Sequence, residues 1–173
     1  MKLICGFIFS GPEVIQQAVQ RLQVQLGPID VQSEIFLFSH TEYYRKEMGE
    51  GLGRMFVAFS RLIRRERLAE MKLLTNGLEE NLSQEIKSLK RRRINIDPGY
   101  LEASKLVLAS TKNFSHRIYL GRGIYAEVTL QYRQNRFQAL PWTYPDYQTH
   151  QVLSFLQRAR QVYMRQVSEV GMS

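Results

Sequence analysis

Residues 93–101 read Arg-Ile-Asn-Ile-Asp-Pro-Gly-Tyr-Leu, and the fold hinges on them. From Arg93 to Asp97 apolar and polar residues alternate, the signature of a half-buried strand. Ile94 and Ile96 point to one face and Arg93, Asn95 and Asp97 to the other, successive ones about 6–7 Å apart. Asp97-Pro98-Gly99 then reads as a turn. Upstream, Leu68, Met71, Leu74, Leu78, Leu82, Ile86 and Leu89 form one apolar stripe, predicting a helix that begins near Arg65. Asn76-Gly77 interrupts that pattern and is a candidate break. Before it lie a short strand, Met55 to Phe59, and a polar, aromatic insert from Ser39 to Arg54 whose three glycines suggest a loop.

Further back, Ile29 to Phe38 reads as a strand, and Ile15, Ala18, Val19, Leu22 and Leu26 recur at helical spacing between Gly11-Pro12 and Gly27-Pro28. Leu3 to Phe9 is almost continuously apolar, as in a strand buried on both faces. The order is β-α-β-β-α-β, which predicts an α+β protein with a ferredoxin-like core and both helices on one face of an antiparallel sheet. Beyond Asp97, Lys105 to Ser110, His116 to Leu120, Ile124 to Tyr132 and Arg136 to Leu140 extend it as an antiparallel meander. Val152, Phe155, Leu156, Ala159, Val162, Tyr163 and Val167 mark a C-terminal helix. At 173 residues the chain reads as one domain: 1–97 the βαββαβ half, 98–147 the meander and an aromatic loop, 148–170 the helix.

Lys and Arg number 24 against 16 Asp and Glu, giving a net charge of +8 and raising the question of anionic partners. The excess is clustered in Arg61 to Arg67 and in Lys87 to Arg93, which serve either as solvated faces or as nucleic-acid contacts. No apolar run is long enough to span a bilayer, and none reads as a secretion signal, so no membrane is expected. Cys5 is the only cysteine and sits in an apolar strand, which fits a reducing cytoplasm.

The chemistry-bearing groups gather between Arg93 and Tyr147. If Gly121-Arg122-Gly123 is a three-residue hairpin loop, Leu120 faces Ile124, Tyr119 faces Tyr125 and Arg117 faces Glu127. That register puts Ile118, Leu120, Ile124, Ala126 and Val128 on the core face. It puts Arg117, Tyr119, Tyr125, Glu127 and Thr129 on the polar face, and His116 on the apolar side near Val128. Pro141-Trp142-Thr143-Tyr144-Pro145-Asp146-Tyr147 is a stiff aromatic loop, with Asp146 or Thr149 as cap of the last helix. The strand row and the hairpin row are expected to converge on one cavity.

Several standard sites are absent. Gly49 to Arg54 lacks the lysine and the strand–helix setting of a phosphate loop, and no zinc-protease or nucleophile-elbow motif occurs. Arg122 to Val128 looks superficially like an RNA-recognition strand, but Ile124 and Ala126 stand where stacking aromatics are needed. Ser39-His40-Thr41 and Ser115-His116-Arg117 hint at a two-histidine phosphoesterase, although the second lacks the required hydroxyl residue.

At these residues the chain resembles a bacterial family known as domain-of-unknown-function family 4416. The resemblance runs through Thr41-x-Tyr43-Tyr44, Glu47-Met48-Gly49, Lys72-Leu73-x-Thr75-Asn76, Asn95 to Leu101, Lys105 to Ala109, His116 to Leu120, Gly123 to Leu130 and Pro141 to Tyr147. It implies a cytoplasmic protein and no particular activity.

The expectation is therefore a small cytoplasmic enzyme or ligand-binding domain acting on a phosphorylated or nucleotide-like molecule. Asp97 and Glu127 are the candidate acid–base carboxylates, and the ligands if a divalent metal is the cofactor; His116 is the secondary proton carrier. Arg93, Arg117 and Lys112 are placed to hold the anion, with Asn95, Tyr100, Tyr119, Tyr125 and Trp142 around it. The alternatives are a non-catalytic nucleic-acid-binding module and an interaction protein without chemistry. Oligomeric state is not legible.

Overall fold

A computed structural model describes residues 1–38, 43–86 and 89–171. The chain is α+β. Its helices are α1 (Pro12–Leu26), α2 (Tyr43–Met48), α3 (Leu68–Asn81) and α4 (His150–Gly171), of which α2 is a single short one. The strands are β1 (Lys2–Phe9), β2 (Ile29–Gln32), β3 (Phe36–Leu37), β4 (Gly53–Leu62), β5 (Gln84–Ile86), β6 (Leu89–Arg91), β7 (Ile94–Leu101), β8 (Lys105–Ser110), β9 (Ile118–Gly121), β10 (Ile124–Arg133) and β11 (Arg136–Ala139). Nine form one antiparallel sheet in the order β11-β10-β8-β7-β1-β4-β2, with β3 beside β4 and β9 beside β10; β5 and β6 form a separate hairpin.

The alternation of β1 decides the layering. Leu3, Cys5, Phe7 and Phe9 face α1 and α3, packing with Val14, Ile15, Ala18 and Leu22 of α1, Met71 and Leu78 of α3, and Ile94 and Ile96 of β7. Ile4 lies on the opposite face, where Val152, Phe155, Leu156 and Ala159 of α4 cover Phe56, Ala58, Leu101, Leu106 and Leu130. Every residue of β1 is buried, as its unbroken apolar run requires. Gly6 is small for a local reason: a Cβ there would lie 2.8 Å from the Phe56 ring and 3.2 Å from the Arg54 guanidinium.

Five readings are corrected. The strand from Ile29 to Phe38 is two short strands, because Ser33 interrupts it: its amide donates to Phe56 O, and its hydroxyl takes the Phe56 amide. The insert before β4 is not all loop, since α2 lies within it, and Met48 packs with Phe38, Leu52 and Ile8. The second helix stops at Asn81, where the Ser83 hydroxyl donates to the Glu80 carbonyl. The chain then enters the β5–β6 hairpin; Asn76-Gly77 stays helical.

Most consequential, β7 does not turn at Asp97-Pro98-Gly99 but runs on to Leu101, pairing with β1 along its whole length. Its other edge explains why proline is tolerated. The Ile96 amide and carbonyl are bonded by α3 side chains, so they point away from β1, and Pro98, two residues on, points the same way. The β8 ladder starts only at Gly99, so the missing N–H removes no strand–strand bond. β7 and β8 therefore pair over Gly99–Leu101 alone and diverge above it. That divergence is the origin of the site.

Candidate functional site

Where β7 leaves β8, α3 supplies what the ladder lacks. Glu79 Oε1 accepts the Ile96 amide at 2.7 Å, and Lys72 Nζ donates to the Ile96 carbonyl at 2.8 Å. Both side chains are almost wholly buried. Burial raises the Glu79 pKa to about 6, against the lowering influence of Lys72, the Ile96 amide and Arg92. Lys72 continues to Asp97 Oδ1 at 3.2 Å, and Asn95 Nδ2 donates to Asp97 Oδ2 at 2.6 Å. Arg92 joins Glu79 at 3.2 Å to Glu47 of α2 at 2.7 Å.

Above this floor opens a cavity of about 440 Å³, walled by Lys72, Asn76 and Glu80 of α3, Asn95 and Asp97 of β7, Leu108 to Lys112, Arg117, Glu127 of β10 and the loop Tyr144 to Tyr147. Glu127 is buried and crowded with donors. Oε2 receives Arg117 Nε at 2.7 Å and lies 3.0 Å from His116 Nε2; Oε1 accepts the Thr129 hydroxyl at 3.3 Å. Arg117 also donates to Ser110 Oγ, the Lys112 carbonyl and the Tyr144 hydroxyl, so four of its five N–H groups are spent. It positions Glu127 and Tyr144 more than it offers a clamp. His116 stacks on Trp142 with ring centroids 4.9 Å apart, and both line a second cleft of about 300 Å³ that shares Lys112, Arg117 and Tyr144 with the first.

The far wall is Arg54, fully buried on β4. Its guanidinium pairs with Asp146 at 2.8 Å and lies over Phe56 and Tyr147 at 4.3 and 5.3 Å. Among the described residues Nε and Nη1 have no hydrogen-bond partner, and the Phe56 and Tyr147 rings face that part of the charge. Burial holds the Tyr147 hydroxyl well above its ordinary pKa. Asp146 is therefore Arg54's counter-ion, and its side chain does not cap the last helix; only its carbonyl takes the Thr149 amide and hydroxyl.

Of the residues singled out from sequence, Asn95, Asp97, Lys112, Arg117 and Glu127 line the cavity, and His116 and Trp142 line the adjoining cleft. Four do not join them. Arg93 precedes β7, and its carbonyl holds Ser10. Tyr100 falls on the α3 face because the strand continues, and it packs beside Val107 and Ala109. Tyr119 and Tyr125 pack against one another with tilted rings, centroids 5.1 Å apart, nearer the hairpin tip than Glu127.

The hairpin register also shifts. Gly121 pairs with Ile124 across a two-residue turn, Arg122-Gly123, with positive φ at both, and Leu120 bulges out. Tyr119 still meets Tyr125, but Ile118 and Leu120 are exposed at 73% and 43% and are not core. His116 lies before β9, outside the alternation that put it near Val128, and so reaches Glu127.

Among the described residues no three His, Cys, Asp or Glu side chains cluster as metal ligands. Both candidate carboxylates are already held by cations. His40, the other member of the paired-histidine reading, lies outside the described residues. In the basic runs, Arg65 pairs with Glu102 and Arg67 with Glu70, while Arg92 turns inward. Arg61's stem packs at Gly27. No helix of the described residues is long and apolar enough to cross a membrane. Burial pushes the Cys5 thiol up to about 12, leaving it a core residue.

Fold and cavity define an α+β protein with a polar, doubly charged cleft opened at a gap in its sheet. The chain belongs to the domain-of-unknown-function family DUF4416, whose model matches residues 1–163. No curated protein and no solved structure matches it.

Proposed function

We propose that the cavity binds a small phosphorylated or nucleotide-like molecule, and that Glu127, Asp97 and His116 are the groups that handle protons on it. The volume falls within the range of small-molecule sites. Five basic side chains on its wall (Arg54, Lys72, Arg92, Lys112, Arg117) face four acidic ones (Glu80, Asp97, Glu127, Asp146), a balance that favours an anion modestly.

The observation that carries the proposal is the carboxylate–histidine pair. In the tautomer that donates its Nε2–H to Glu127 Oε2 across 3.0 Å, Nδ1 keeps a lone pair, and it has no hydrogen-bond partner among the described residues. A histidine so oriented, at the junction of two clefts, is a base for a bound hydroxyl or water. Arg117 fixes the carboxylate, and stacking on Trp142 fixes the ring.

The proposal extends to the fold and setting. The antiparallel order β7-β1-β4-β2, with α1 and α3 over one face, is read as a ferredoxin-like core within the larger sheet. A single buried cysteine suits a cytoplasmic protein. The rival reading, a nucleic-acid module using the two basic runs, draws on arginines that are in part paired with carboxylates.

The test is a thermal-shift and calorimetric survey of nucleoside phosphates and sugar phosphates, alongside short RNA and DNA at low salt. At least one phosphorylated small molecule should bind, and His116→Ala should remove turnover of it while largely sparing its affinity. Binding by nucleic acid alone, weakening steeply with salt, would favour the rival.

A further inference from the structure

The floor of the cavity carries a pattern that the phosphate reading leaves unexplained. Lys72 is 5% exposed, yet its ammonium spends only two of three protons: one on the Ile96 carbonyl, one on Asp97 Oδ1. Glu79 at 4.0 Å contributes charge but no hydrogen bond. Among the described residues the third proton has no partner, on a side chain that lines the cavity. Beside it, Asp97 receives Lys72 on one oxygen and Asn95 on the other, which leaves each oxygen a further acceptor position; its side chain is 27% exposed. Asn76, one turn along α3 from Lys72, also lines the cavity, and its side-chain amide makes no hydrogen bond among the described residues.

A phosphate oxygen needs donors only, and Asp97 would repel it here. An alcohol both donates and accepts, and it is matched where an unspent N–H adjoins an unspent carboxylate lone pair. We propose that Lys72, Asn76, Asn95 and Asp97 form a subsite for neighbouring hydroxyl groups, so that the ligand is a sugar phosphate or the ribose phosphate of a nucleotide. This rests on the phosphorylated-ligand reading and divides the cavity: hydroxyls bind at the β7–α3 floor, and the ester phosphate lies along the remaining basic wall. Lys72 acts as donor to the sugar and orients Asp97, the acceptor.

Titration calorimetry with ribose 5-phosphate, 2-deoxyribose 5-phosphate and inorganic phosphate tests it. Ribose 5-phosphate should bind about tenfold tighter than phosphate, and the deoxy sugar should fall between. Asn76→Ala, at a half-buried position, and Asp97→Asn should each remove most of the sugar's advantage while changing phosphate affinity less than about twofold. These variants make the test independent of Lys72→Met, whose buried partners endanger folding. Equal affinity for the three probes, or variants that weaken phosphate and sugar phosphate alike, overturns the subsite but leaves the phosphorylated-ligand reading standing. No binding by any phosphorylated compound overturns both.

Discussion

The two halves of β7 solve the same problem differently. From Gly99 to Leu101 the outer edge pairs with β8 by an ordinary backbone ladder. At Ile96 the same edge is satisfied by a carboxylate and an ammonium from α3. A backbone ladder closes the sheet; a side-chain substitute holds the strand while letting the sheet open. One of the two polar side chains brought in to complete the edge is also left lining the opening: Lys72 is bonded to the strand and borders the cavity at once.

The largest effect is expected where the ladder is closed. A Cβ on Gly99 would meet the Val107 carbonyl oxygen at 2.5 Å, a backbone atom that cannot swing aside. Gly99→Ala should lower unfolding free energy by about 3 kcal/mol, read by urea denaturation. A loss under about 1 kcal/mol would mean that the paired half yields as easily as the open one.

The open half should instead be sensitive to pH. Glu79 has its pKa raised from 4.5 to about 6 by burial, so the folded state holds its proton more tightly than the unfolded chain. Stability should therefore fall as pH rises through that window, by on the order of 2 kcal/mol from this group. Comparing wild type with Glu79→Gln at intervals across the window isolates it. A difference that is flat, or that favours wild type increasingly as pH rises, would show that the edge substitute behaves as an exposed pair. Smallest should be the structural effect of Asp97→Asn, a partly exposed position: within about 1 kcal/mol by the same denaturation.

The same contrast explains what the sequence reveals. The alternation of Ile94 to Asp97, the unbroken apolar run of β1 and the meeting of Arg117 with Glu127 follow from local period and turn chemistry, and all three appear in the structure. The continuation of β7 through Pro98 does not, because a proline's missing N–H matters only if a partner strand lies opposite, and that is a tertiary fact. Lys72 and Glu79 were hidden in an apolar helical stripe, although Lys72, Thr75 and Glu79 fall on one side of it at helical spacing, a readable signal of a polar border. Arg54 and Asp146 lie far apart in sequence, so neither betrays the other. His116 escapes the pattern because strand alternation does not extend before the start of β9.

On the proposed reading, this protein meets its ligand at the gap between β7 and β8. The most direct measurement is an amide NMR titration of the labelled protein with phosphorylated small molecules, followed residue by residue. Shifts should concentrate at Asn95 to Asp97, Ser110 to Lys112, Arg117, Glu127 and Tyr144, and with a sugar phosphate those at Asn95 to Asp97 should shrink in Asp97→Asn while its spectrum otherwise stays native. Shifts confined to Arg61 to Arg67 and Arg91 to Arg93, or undiminished in the variant, would contradict it.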